Sequence, residues 1–156
     1  MRSSTKWIAL SGLLLAGLAA EAARADDAAA VDNRQSVMKA QGKDMSAIKA
    51  YLDDKADLAS AQAAGADLVT QIDKIPIIFP KGSGMDALPG KSYAKPVVWS
   101  EWDKFSAQAK TASEKAAALD AALKGGDKAA ITAAFGDMGK TGCGGCHEVY
   151  REKKPS

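Results

Sequence analysis

The chain's two cysteines and its single histidine fall within five consecutive residues, Cys143-Gly144-Gly145-Cys146-His147, with only nine residues after them. Whatever fold the chain adopts must present these three side chains from one short element. On a helix of 3.6 residues per turn, positions 143, 146 and 147 share a face. Two thiols and an imidazole so spaced form the pattern that attaches a c-type haem: each thiol adds to a vinyl group as a thioether, and the histidine becomes an iron ligand. Two other chemistries use similar residues. A closed zinc site needs four ligands; here the inventory of cysteine and histidine stops at three, two of them adjacent. A redox Cys-x-x-Cys sits at a helix N-terminus near a βαβ pattern, where the dipole lowers the thiol pKa, and the sequence shows no such strands. The residues favour one covalently attached haem c.

The other end of the chain agrees. Arg2 and Lys6 precede an apolar stretch from Trp7 to Ala20, and Ala23-Arg24-Ala25 offers a small-x-small cleavage site. This is the pattern of an export signal over residues 1–25, with a mature domain over 26–156. The apolar stretch is shorter than the ~20 residues that span a bilayer, so no stable membrane insertion is expected after cleavage. Without the leader, 18 basic residues face 18 acidic ones. A net charge near zero gives no electrostatic case for nucleic acid or anionic lipid. The basic tail Arg151, Lys153 and Lys154 is a local patch for docking.

Alanine-rich, aromatic-poor composition favours helix. Val31, Met38, Met45 and Leu52 recur every seven residues, with Ile48 between them, marking a helix over about 29–52. Arg34 and Gln41 lie on the same seam and need polar partners there. A second helix over about 56–75 carries Leu58, Leu68, Ile72 and Ile75 inward, with Ala61 and Gly65 permitting close approach. Pro76 stops it, and a proline- and glycine-rich segment runs to Lys95. Pro96 opens a third helix with Trp99, Trp102, Phe105, Ala109, Ala112, Ala116, Leu119 and Leu123 at three-four spacing. Gly125-Gly126 ends it, and Asp127 caps a fourth helix that runs through the cysteine motif to Tyr150. The expected fold is all-α: an antiparallel four-helix bundle with one long crossover between helices 2 and 3.

With one histidine, bis-histidine ligation within a subunit is impossible. The remaining soft candidates are Met38, Met45, Met85 and Met138. Met138 precedes Cys143 too closely to reach across the macrocycle. Met38 and Met45 lie on the inner seam of the first helix, although core packing is the ordinary role of either.

The sequence Arg34-Gln35-Ser36-Val37-Met38-Lys39, Lys95-Pro96-Val97-Val98-Trp99 and Phe135-Gly136-Asp137 leading into the Cys143–His147 motif and Tyr150-Arg151 resembles the class II c-type cytochromes. This family includes cytochrome c' and its low-spin relatives, and the resemblance spans the mature chain. It implies a haem near the end of a four-helix bundle and homodimers through the first two helices. Carried over, it makes Cys143 and Cys146 the thioether anchors and His147 the proximal ligand. Arg34 becomes a residue near a haem propionate, Gln35 a neighbouring haem contact, and Arg151 a basic group on the proximal side. Met38 occupies the distal position. In the low-spin branch a methionine there binds iron; in cytochrome c' the iron stays five-coordinate and high-spin even where methionine is present. The segment Ile75-Pro76-Ile77-Ile78-Phe79-Pro80-Lys81-Gly82 looks more like the low-spin branch.

The expectation is therefore a periplasmic one-electron carrier with His147/Met38 ligation, exchanging electrons with periplasmic redox proteins and acting on no substrate bond. The alternative is a cytochrome c'-like protein whose open distal site binds nitric oxide or carbon monoxide. A peroxidase is the weakest reading, since no distal histidine exists to move protons.

Overall fold

The structure, a computed structural model, describes residues 11–153, with side chains at 25 and from 27 onward. The basic start of the expected leader and its apolar side chains lie outside the described residues, as does Lys154 of the tail. Among the described residues, no helix is long and apolar enough to cross a membrane.

Helix α1 runs Ser11–Leu52 and α2 runs Leu58–Ile72. A short α3, Val97–Ser100, leads into α4, Trp102–Gly125. The last limb of the bundle is α5, Lys128–Asp137, a π-helical segment Met138–Gly144, and α6, Gly145–Tyr150. Helix α1 packs on α2, α2 on α4, α4 on α5, and α1 closes the ring on α5. This is the expected four-helix bundle with its long crossover.

The first helix begins at Ser11 rather than near position 29, and the other three depart from their expected course, each for a local reason. The second helix ends at Ile72, and Ile75–Ile77 winds as a 3-10 turn containing Pro76. A proline ring disfavours α geometry in the residue before it and removes a donor, so the helix unwinds one turn early; Ile75 is nonetheless buried. The third helix is broken at Glu101, where φ is −123° and ψ 46°. The break resets the helical phase from Trp102 onward, so Trp102 turns outward to 37% exposure while Phe105 is buried. The third departure is the π-helical segment, which interrupts the last helix within the cysteine motif itself.

The bundle is narrow because its inner residues are small. Ala61 and Gly65 on α2 face α4, whose buried stripe includes Ala109, Ala112, Ala116, Leu119 and Leu123. A Cβ at Gly65 would lie 2.5 Å from Leu123 Cδ1, so glycine there sets the helix separation. Burying a leucine such as Leu123 contributes roughly 1.5–3 kcal/mol relative to exposure.

The turn between α4 and α5 takes two residues. Gly126, at φ 76°, donates its amide to the Ala122 and Leu123 carbonyls, and Asp127 accepts from the amides of Ala129 and Ala130. Only glycine holds the left-handed conformation cheaply. Gly126→Ala should lower stability by about 1–2 kcal/mol, measured by denaturant unfolding of the intact protein.

Candidate functional site

The motif does not lie on one uniform helix. Cys143 sits in the π-helical segment, whereas Cys146 and His147 sit on α6. The shared face expected from 3.6 residues per turn is thus rephased between the two cysteines. Glycines permit it: a Cβ at Gly142 would lie 2.8 Å from Met138 Sδ, and one at Gly145 would lie 2.6 Å from Gln108 Nε2. A π-helical turn inside an α-helix is a frequent mark of a functional site. From α4, Gln108 Nε2 donates to the Thr141 carbonyl at 2.9 Å, fixing the wide turn against the neighbouring helix. Met138 is fully buried.

Cys143, Cys146 and His147 are all half-buried, and the two cysteines are not joined. Burial pushes the Cys143 thiol up; burial first, and Cys143 second, push Cys146 up to about 11. Thiols held this way are protonated at neutral pH, the reverse of what redox dithiol chemistry requires. Burial, then the positive charge of Arg151, lowers His147, so its imidazole is neutral and able to ligate. It makes no hydrogen bond to another described residue. Among the described residues, no three of His, Cys, Asp or Glu gather in a metal-holding cluster.

The motif segment packs on α4 and α5, while α1 packs chiefly on α2 and has no extensive interface with α6. Two unlinked thiols and an unpartnered neutral imidazole on a helix that α1 does not cover form a donor set that fits a covalently attached haem.

Of the other expected site residues on α1, Arg34 and Gln35 turn out to hold the crossover, while Met38 packs on the core. Arg34 is 5% exposed. Its Nη1 donates to Ser83 Oγ at 3.0 Å, and Nη2 donates to the Ser83 carbonyl and to Ser92 Oγ, both at 2.9 Å. The guanidinium carbon lies 4.5 Å from the Phe79 ring centroid. None of these partners is anionic, and burial lowers its pKa to about 10. Gln35 Nε2 donates to the Lys91 carbonyl at 2.8 Å, and Gln41 Nε2 to the Gln71 carbonyl at 3.1 Å. The polar seam of α1 thus finds its partners in the crossover and the end of α2. Met38 and Met45 are half-buried against the core. Met85 lies in the crossover, where its amide donates to the Ala94 carbonyl.

Sequence reasoning missed Ser83, Ser92 and Gln108. The two serines lie in irregular chain with no periodicity to reveal them; Gln108 is separated from its partner Thr141 by 33 positions.

The family model described as Cytochrome C' matches residues 29–151. The chain belongs to the cytochrome c' family. Cytochrome c' of Pararhodospirillum photometricum is 37% identical over 123 residues, covering 78% of this chain and 95% of the relative. Among solved structures, a ferrous cytochrome c prime variant from Alcaligenes xylosoxidans with bound NO has a TM-score of 0.70 and 28% identity, covering 80% of this chain and 94% of that one. A cytochrome c' with ligand-controlled dimer dissociation has a TM-score of 0.75 and 25% identity, covering 81% and 97%. As a cytochrome c' family protein the chain takes haem c as its cofactor, and Cys143 and Cys146 are consistent with the pattern that attaches it.

One ion pair ties the approach to this motif to α4. Lys115 Nζ lies 2.8 Å from Asp137 Oδ2, and Thr141 Oγ1 donates to Asp137 Oδ1. The hydrogen bonds from Lys115, then Thr141, hold the Asp137 carboxyl below the usual range. Its folded pKa is depressed, so its contribution is present above the unfolded value and lost as pH falls through the folded one. Asp137→Asn should therefore flatten the acid limb of the stability profile below about pH 4, as followed by thermal melts across pH.

Proposed function

We propose that this is an exported haem c protein in which Cys143 and Cys146 would carry the thioether links and His147 would ligate the iron, and which binds nitric oxide or carbon monoxide. The observation that carries this reading is the cytochrome c' family match across 29–151, with Cys143, Cys146 and His147 inside it. Five-coordinate, high-spin iron is the state implied by resemblance to cytochrome c', and the NO-bound relative supports the same chemistry. The bound group supplies a redox-active iron with a vacant coordination position; the chain supplies its attachment and its surroundings.

His147, neutral at physiological pH, offers a lone pair to the metal. Resemblance to the family puts Arg34 near a haem propionate, and its buried guanidinium, bonded to Ser83 and Ser92, would bring a positive charge to that contact. Gln35 lies one residue on and holds the crossover beside it. Export is supported by the leader pattern of residues 1–25, and a homodimer through α1 and α2 by the dimeric relative and the family resemblance.

The expected electron carrier with His147/Met38 ligation becomes the second reading. It is favoured by one observation, the placement of Met38 half-buried on the inner seam of α1. Redox exchange with periplasmic partners belongs to it.

Ferric protein at neutral pH should give high-spin optical and paramagnetic-resonance spectra, and the ferrous form should bind carbon monoxide. Met38→Ala should leave the spin state unchanged and alter only ligand affinity. A low-spin ferric spectrum that Met38→Ala converts to high-spin would replace this reading with the second.

A further inference from the structure

Helix α6, which carries Cys146 and His147, has six residues. It closes a helical limb that is continuous from Lys128 and follows a π-helical turn, so α geometry alone does not fix its direction. At its start, Gln108 supports the wide turn. At its end the chain turns extended, with Arg151 at φ −116° and ψ 131°, and pairs with the last part of the crossover. The Lys95 amide donates to the Tyr150 carbonyl at 3.0 Å, and the Glu152 amide donates to the Tyr93 carbonyl at 2.8 Å. Ala94 and Arg151 form an antiparallel bridge.

The crossover side of this ladder is itself anchored. Ser92, 2% exposed, accepts from Arg34 of α1, donates to the Ser83 carbonyl at 2.8 Å and accepts from the Ala94 amide at 3.3 Å. Hydrogen bonds therefore run from α1 to Ser92 and on to the Ala94 amide, and the residues on either side of Ala94, Tyr93 and Lys95, carry the ladder to Glu152 and Tyr150.

We propose that this ladder is a clamp that orients the proximal helix, with Ser92 and the Glu152 amide as positioning groups for His147. The role at iron rests on the reading that His147 holds the metal. The clamp joins α1, which carries Met38, to the end of α6.

Glu152→Pro removes the amide donor at an exposed position, and the extended conformation of Arg151 suits a residue before proline. Glu152→Ala is the control: it keeps the amide and removes only the exposed pair with Lys95 at 3.8 Å, which contributes little. Ser92→Ala cuts the path at its buried knot, and the tail variant serves if this one fails to fold. In the holoprotein, Glu152→Pro and Ser92→Ala should shift or broaden the ferrous iron–histidine stretching band and raise amide hydrogen exchange over Gly145–Tyr150, with covalent haem content unchanged. Glu152→Ala should match wild type. Wild-type band and exchange in both disrupting variants, with only global stability reduced, overturns the clamp. Wild-type protein without covalent haem overturns the proposed function instead, and the role at iron with it; the exchange readout, which needs no haem, tells the two failures apart.

Discussion

A guanidinium removed from water without a carboxylate to meet it is the interaction on which the path of the crossover depends. Transfer of a charge to such a place costs several kcal/mol even after relaxation. At Arg34 the cost is offset by three hydrogen bonds from charged donors, each contributing about 1.5–3 kcal/mol, and by the face of Phe79. Ser83 is fully buried and Ser92 nearly so; the Ser83 hydroxyl makes two hydrogen bonds and the Ser92 hydroxyl three. The segment between α2 and α3 has little regular structure of its own. It holds one course because α1 reaches into it at Arg34, at Gln35 and, through an exposed ion pair with Lys91, at Asp32.

Apolar packing complements this latch at the other end of the crossover. Phe79 stacks edge-on with Phe105 at 4.8 Å, and Phe105 with Tyr150 at 5.2 Å. Trp99 donates its indole N–H to the Phe79 carbonyl. The same ring that shields Arg34 is thus wedged against Phe105 of α4, which in turn meets Tyr150 at the end of α6. Polar latch and aromatic wedge share one residue, so disturbing either one reaches the other.

The bundle was legible because long amphipathic periods and caps act locally: the inward seam of α1, the small residues of α2, and the Gly126-Asp127 turn all stand where the pattern places them. The cysteine motif was legible because its chemistry is compressed into five residues. Periodicity could not show the places where one residue resets the phase. The break at Glu101 turns Trp102 to solvent, and the π-helical turn puts Cys143 in a different helical segment from Cys146. The partners of Arg34 were equally hidden. A charge on an apolar seam announces that something polar must meet it, but two serines in irregular chain, 49 and 58 positions away, carry no mark of having been chosen.

The two-residue turn after α4 also bears on how the chain assembles. Closing a loop costs entropy that grows with its length, each doubling adding about 0.6 kcal/mol. The α4–α5 hairpin joins residues that are neighbours in sequence, whereas the Arg34 latch must bring together groups about fifty positions apart. On loop closure alone, the hairpin leading into the cysteine motif nucleates early, and the crossover is drawn down onto an already paired C-terminal half.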